Sequence, residues 1–162
     1  MRTSWTEERV KGNDEWLTPP YIIDALGKFD LDPCAPVGIN WKTADEYYTI
    51  EDNGLMQEWW GRIWLNPPYG YNKPKEWLSK LSHHGNGIAL LFARVETKIF
   101  FNYVWGAADS VFFIKGRLRF YDSKGYKAPN DAGTGSVLVA YGQNNVDILS
   151  RTSIVGKHIV LK

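Results

Sequence analysis

The feature that most constrains this chain is the stretch Arg62-Ile63-Trp64-Leu65-Asn66-Pro67-Pro68-Tyr69-Gly70. Ile63, Trp64 and Leu65 form an apolar run that reads as a short buried strand. The run ends in Asn66, two prolines and an aromatic ring. Each proline removes a backbone N–H and fixes φ. The residue before a proline is driven out of the α region. Asn66 and Pro67 are therefore held extended just past a strand end, where their carbonyls have no ready local donor. The Asn66 side chain adds another acceptor, and Tyr69 brings an aromatic face. A rigid cluster of acceptors beside an aromatic plane suits a flat heterocycle bearing an NH2 group. Asn and Pro are also ordinary turn residues. A full Asn-Pro-Pro-Tyr string, however, should arise by chance in only about one chain of this size in a thousand.

Composition bounds the rest. A chain of 162 residues is the size of one ordinary domain, and 44% hydrophobic residues suffice for a core. The eight tryptophans exceed what such a core needs, so some rings are expected at the surface or in a site. A net charge of +1 gives no global basic field and leaves only local patches to meet nucleic acid. The single cysteine, Cys34, rules out an internal disulfide framework and a cysteine-rich zinc site, and is consistent with a reducing compartment. The polar start, Met1 to Lys11, lacks the apolar core of a signal peptide, and no run reaches membrane-spanning length. The expectation is a cytoplasmic protein without membrane or metal, its oligomeric state left open.

In chain order, residues 1–14 read as a flexible arm and residues 15–162 as one domain, onto which Trp5 and Trp16 could fold back. Thr18 and Pro19 open a helix from Pro20 to Leu26, with Thr18 as cap, proline in the first turn and Gly27 as stop. The start of that helix could also take an anionic group. A strand from Lys28 to Cys34 ends in Asp32-Pro33-Cys34-Ala35, an acid placed where doubly wound sheets bind nucleotides. No glycine-rich fingerprint follows it, which disfavours a dinucleotide. Asp52 lies in the turn Glu51 to Leu55, either a surface residue or an acceptor for an amine or hydroxyl. After the opening stretch come a loop from Tyr71 to Pro74 and a short helix, Lys75 to Leu81. His83 and His84 are adjacent and lack a carboxylate neighbour, a poor metal set. Ile88 to Phe92 is an apolar central strand followed by Arg94 and Lys98 and a helix from Thr97 to Trp105. Ser110 to Ile114 and Ser136 to Tyr141 are further strands. Lys115 to Phe120 alternates cationic and apolar residues, predicting a half-exposed strand with Arg117 and Arg119 on its basic face. Tyr121 to Gly135 predicts a mobile loop carrying Lys124 and Lys127. A last strand is expected over His158 to Leu161.

Strands alternating with helices, with polar clusters after the strand ends, predict an α/β domain of Rossmann-like type. It would have a mostly parallel central sheet flanked by helices and a ligand crevice at the carboxyl ends of the strands. Thr18, Asp32 to Ala35, Asn66 to Tyr69 and Arg94 to Lys98 would meet in that crevice.

The combination resembles the amino-methylating, S-adenosylmethionine-dependent methyltransferases, and more closely the small phage-type, Dam-like DNA N6-adenine methyltransferases. The pieces that carry the resemblance are Asp14 to Pro20, Phe29 to Ala35, Asp52 to Leu55, Trp60 to Tyr69, Leu90 to Thr97 and Gly116 to Phe120. It spans roughly residues 16–141, and Asn-Pro-Pro-Tyr is its specific part. The resemblance implies that Asn66, Pro67 and Pro68 hold a target amine while Tyr69 stacks on a flipped adenine. It further implies that Thr18 and Pro19 contact the methionine part of the cofactor, and that Asp32, Pro33, Cys34, Ala35 and Asp52 belong to the cofactor site. The Gly-x-Gly of many methyltransferases is missing from the turn after Asp32, and no separate target-recognition domain is present. DNA would be met by Arg94, Lys98, Arg117, Arg119, Lys124 and Lys127. The implied role is site-specific methylation by a phage-encoded enzyme in the bacterial cytoplasm, protecting DNA from host restriction. Two alternatives stay open on the motif alone: methylation of an amine or amide in RNA or protein, and a non-catalytic nucleic-acid-binding module.

Overall fold

The computed structural model describes residues 16–69 and 73–162. The arm over residues 1–14, the matching residues Asp14 and Glu15, and the first half of the Tyr71 to Pro74 loop lie outside the described residues.

Seven strands form one sheet among the described residues: β1 (Leu31–Asp32), β2 (Glu46–Tyr47), β3 (Ile63–Leu65), β4 (Gly87–Phe92), β5 (Ser110–Ile114), β6 (Ser136–Tyr141) and β7 (Gly156–Val160). Their order is β2-β1-β3-β4-β6-β5-β7. The α/β class holds, but a mostly parallel sheet does not. Three pairings, β1 with β2, β1 with β3, and β3 with β4, are parallel. The other three, β4 with β6, β5 with β6, and β5 with β7, are antiparallel and carry most of the ladder. The physical cause is one strand. β6 returns from β5 without a crossover helix and inserts between β4 and β5, so two strands that run the same way never touch.

The helices are α1 (Pro20–Leu26), α2 (Pro74–His84), α3 (Lys98–Phe100) and α4 (Gln143–Ser150); α3 runs into a wider π turn over Phe101–Trp105. Ile22, Ile23 and Leu26 of α1 and Val146 and Leu149 of α4 pack with Trp64, Leu90 and Leu138 on one face of the sheet. Leu78 and Leu81 of α2, with Phe100 and Val104, pack with Ile63, Leu65 and Leu91 on the other. β4 and β6 are buried along their whole length, as continuous apolar runs with helices on both faces should be. Each fully buried Leu there contributes about 2 kcal/mol.

Arg62 braces the start of β3. Its Nε donates to Asn145 Oδ1 at 2.7 Å, and its Nη1 to the carbonyls of Leu26 at 2.8 Å and Lys28 at 2.9 Å. The guanidinium also lies 4.0 Å over the Phe29 ring. Burial pushes its pKa down to about 10, with Asp30 opposing the shift. The guanidinium remains a cation, and it ties α1 and α4 to the strand that presents Asn66.

Several local expectations are corrected. Thr18 does not cap α1: Pro19 holds the N-cap position, and no side chain bonds there. The strand expected over residues 28–34 shrinks to Leu31–Asp32. Residues 115–120 form no named strand, although Leu118 and Phe120 are buried while Arg117 and Arg119 are exposed, as the alternation requires. The loop from Tyr121 to Gly135 is bonded back onto residues 118–120. Ala128 N–H donates to the Phe120 carbonyl and Ala132 N–H to the Leu118 carbonyl, both at 2.8 Å. Ala128 and Ala132 are themselves buried.

Candidate active site

β1, β3 and β4 run parallel, so Asp32, Asn66 and Arg94 leave the sheet along one edge. Asn66 sits two residues beyond Trp64 and therefore on the same face of β3. Its amide is fully engaged. Nδ2 donates to the Trp16 carbonyl at 3.2 Å and faces Thr18 Oγ1 at 3.4 Å. Only a donor can face the Trp16 carbonyl, and this fixes the amide's orientation and turns Oδ1 toward the Tyr69 hydroxyl, 3.0 Å away. That hydroxyl also lies 2.7 Å from the Leu90 carbonyl. One hydrogen serves two acceptors, and the shorter contact to Leu90 is favoured.

Tyr69 is not an open stacking platform here. It is buried, with its ring 4.4 Å from that of Phe92 at 36°. Pro67 is buried and Pro68 half-buried beside it. The Pro67 carbonyl receives no hydrogen bond from a described residue.

A small cleft opens on the other side of Asn66. It is lined by Trp16, Leu17, Thr18, Asp32, Cys34, Pro36, Thr43, Trp64 and Asn66, and encloses about 180 Å³, part of it open to solvent. Thr18 and Asp32 are buried within it. The Thr43 hydroxyl donates to Asp32 Oδ2, and the Cys34 amide donates to Oδ1 at 3.0 Å. Burial pushes the Asp32 carboxyl up from 3.8 to about 6, against these two hydrogen bonds, which favour the charged form. The result is a carboxylate at neutral pH that is held at a cost and would be relieved by a cation or a further donor.

The cleft thus brings together Thr18, Asp32, Cys34 and Asn66, whereas Pro19, Pro33 and Ala35 are buried but do not line it. Asp52 stands apart. It is exposed, and its Oδ2 accepts from the Thr49 amide at 2.8 Å, a turn-forming bond. The turn still leans on the cleft's wall: a Cβ on Gly54 would collide with the Pro33 carbonyl.

Two contributors escaped sequence reasoning. Thr43 carries no signal that would pair it with Asp32. Trp64 could have been found from the period of two along β3, which puts its side chain beside that of Asn66.

The proposed basic residues are exposed. Arg94 follows β4 and Lys98 opens α3 at the same sheet edge. The segment carrying Arg117 to Lys127 is joined to the cleft by paired backbone bonds between Leu17 and Tyr121, at 2.7 and 3.1 Å. Arg119 is partly spent on Asp131, 3.1 Å away. Lys127 lies 6.0 Å over the Tyr121 ring. His83 and His84 bond to the carbonyls of Ser79 and Gly61. Among the described residues no group of three His, Cys, Asp or Glu side chains could hold a metal, and no helix is long and apolar enough to cross a membrane.

A family model described as DNA N-6-adenine-methyltransferase (Dam) matches residues 4–161 of the chain. No curated protein and no solved structure matches it.

Proposed function

Because the chain belongs to the DNA N-6-adenine-methyltransferase family, we propose that it transfers a methyl group from S-adenosyl-L-methionine to the N6 amine of adenine in DNA. The carrying observation is the seat of Asn66 between two spaces: the acidic cleft on one side and the pocket filled by Tyr69 on the other. The residues fit the cofactor's amino-acid end. Asp32 offers a buried acid for an ammonium group, and the Thr18 hydroxyl and the Trp64 indole N–H are buried and without an acceptor among the described residues. The cofactor supplies, when bound, an electrophilic methyl group on a sulfonium.

The chain's own work is positioning and charge stabilisation. The N6 lone pair of adenine is delocalised into the ring and is a poor nucleophile. Asn66 Oδ1 and the Pro67 carbonyl accept the two N–H bonds and favour a pyramidal nitrogen whose lone pair points at the cleft. Both oxygens also stabilise the positive charge that develops on nitrogen. A neutral Asn suffices because no proton need be removed before attack: as nitrogen gains the methyl group the carbon–sulfur bond would break to leave a neutral thioether, and the surplus N6 proton would then pass to water.

Duplex DNA hides N6 in base pairing, so the base is taken out of the stack. Tyr69 then leaves Phe92 and Leu90 to stack on it. The same movement withdraws the hydroxyl from Asn66 Oδ1 and leaves that oxygen ready for the incoming amine. Arg94, Lys98, Arg117, Lys124 and Lys127 meet phosphate along the shared edge.

The test is methylation of unmethylated genomic DNA with labelled cofactor, followed by sequencing that detects N6-methyladenine. Asn66→Ala should bind cofactor nearly as the parent does and transfer no methyl. Near-normal turnover by Asn66→Ala refutes the mechanism, and absence of label from any DNA refutes the function.

A further inference from the structure

Trp64 holds the largest fully buried side chain of the core, and its Nε1–H finds no acceptor among the described residues. An indole nitrogen is a donor only. Burying it unpaired costs about 1–3 kcal/mol, a cost a core position could avoid with Phe or Leu. The ring's apolar part packs tilted against Phe29, 5.4 Å between centroids, while the residue lines the cleft with Asp32, Thr18 and Asn66. Thr18 repeats the pattern: its oxygen faces Asn66 Nδ2, and its hydroxyl hydrogen has no acceptor among the described residues. Two buried donors without acceptors and one buried acid therefore share one small cleft. That set matches an α-amino acid zwitterion, whose ammonium is a donor and whose carboxylate is an acceptor.

We infer that the Trp64 indole N–H, seconded by the Thr18 hydroxyl, binds the α-carboxylate of the cofactor's methionine part opposite the Asp32 carboxylate. This rests on the reading of the cleft as the cofactor site and adds to it a residue and a polarity: carboxylate toward β3, ammonium toward β1. Strand geometry then explains why the donor is Trp64. Two residues before Asn66 on the same face of β3, it sets the amino-acid end of one substrate in fixed register with the amide that holds the other.

The experiment compares S-adenosyl-L-methionine with its decarboxylated form by titration calorimetry, on the whole chain and on Trp64→Phe. Phe keeps a ring against Phe29 and removes only the donor and part of the volume. Hydrogen bonds to charged groups of this kind correspond to about 10- to 100-fold in affinity. The parent should prefer the carboxylated ligand by about that factor, and Trp64→Phe should lose at least tenfold for it while binding the decarboxylated ligand within about twofold of the parent. Equal losses for both ligands, or none for either, overturn the inference and leave the cofactor reading standing. If the parent binds neither ligand, the cofactor reading itself falls. Should Trp64→Phe fail to fold, the parent's indole N–H signals decide. Among the eight tryptophans, the one with contacts to the Phe29 ring should move downfield with the carboxylated ligand and much less with the decarboxylated one. An unmoved signal overturns the inference.

Discussion

Replacing Asp32 by Asn separates the stability of this fold from its function. Holding the carboxyl at about 6 instead of 3.8 costs about 3 kcal/mol of folding free energy once the group is ionised. The sign follows from proton counting. Between 3.8 and about 6 the folded chain holds the proton more tightly than the unfolded chain, so this group's contribution falls as pH rises through that window. The cost is fully present above about pH 6 and absent below 3.8. The amide introduced by Asp32→Asn carries no charge, so the cost disappears. It also keeps only one acceptor for the two donors that face Asp32, Thr43 and Cys34, and losing one of those bonds costs about 1 kcal/mol. The net gain is about 2 kcal/mol at pH 8. For a chain of this length that raises Tm by roughly 4–8 °C. The gain should be halved or less by pH 5 and gone by pH 4. Cofactor affinity should move the other way. In the parent it weakens about tenfold from pH 8 to pH 5, as Asp32 is protonated; in Asp32→Asn it is weak and flat with pH. Thermal melts and calorimetry at the three pH values check both. A variant that is destabilised at pH 8, or equally stabilised at pH 8 and pH 4, refutes the assignment of the buried charge.

Tyr69→Phe removes the hydroxyl shared by Leu90 and Asn66; melts should show a loss of about 1 kcal/mol with turnover kept within a few-fold. Tyr69→Ala should cost about 3–5 kcal/mol as a cavity against Phe92 and also lose base stacking, read as weaker DNA binding. Gly54→Ala drives a methyl into the Pro33 carbonyl and must displace the turn that carries Asp32; calorimetry should show lost cofactor affinity and melts a cost of about 1–3 kcal/mol. Arg117→Gln and Lys124→Gln should each lower the slope of log affinity for DNA against log salt by about 0.9. Arg119→Gln should change it less, because Arg119 already faces Asp131.

The parts of the fold that the sequence foretold are those whose cause is local. Pro20 and Gly27 bound an apolar helix face, and α1 begins and ends where they stand. Ser110–Ile114 and Ser136–Tyr141 are apolar runs between polar turns, and both strands have the expected bounds. The misses have tertiary causes. α4 begins Gln143-Asn144-Asn145, a poor helix start by propensity. It forms where Asn145 is drawn inward, donating to Asn86 Oδ1 and the Tyr141 carbonyl while accepting from Arg62, partners up to 83 residues away. β2 is exposed at both residues and shows no apolar pattern at all; it exists because Tyr48 and Glu46 amides find the carbonyls of Asp32 and Asp30. The reversal of β6 has no local signature either, since an apolar run reads the same in both directions. The site divides in the same way. Asn66 to Tyr69 and Asp32 announce themselves by residue type at strand ends, whereas Thr43 joins Asp32 only through the packing of a loop.

What the motif could not reveal is that the groups proposed for catalysis are engaged with one another. Asn66 bonds to Trp16 and Tyr69, and Tyr69 to Leu90. Freeing Tyr69 costs about 1–2 kcal/mol in lost hydrogen bonding, with its contact to Phe92 besides. Stacking a base on the released ring returns about 1–3 kcal/mol. Vacating the seat also leaves the cavity that Tyr69→Ala would leave, so stacking offsets only part of the cost and the contacts with DNA must supply the rest. A ligand without an aromatic face displaces nothing at comparable gain. On the proposed function, the buried state of Tyr69 would act as a selector. It would tie the exposure of Asn66 Oδ1 to the arrival of a planar base, and so would keep that acceptor from being offered to water or to a wrong amine.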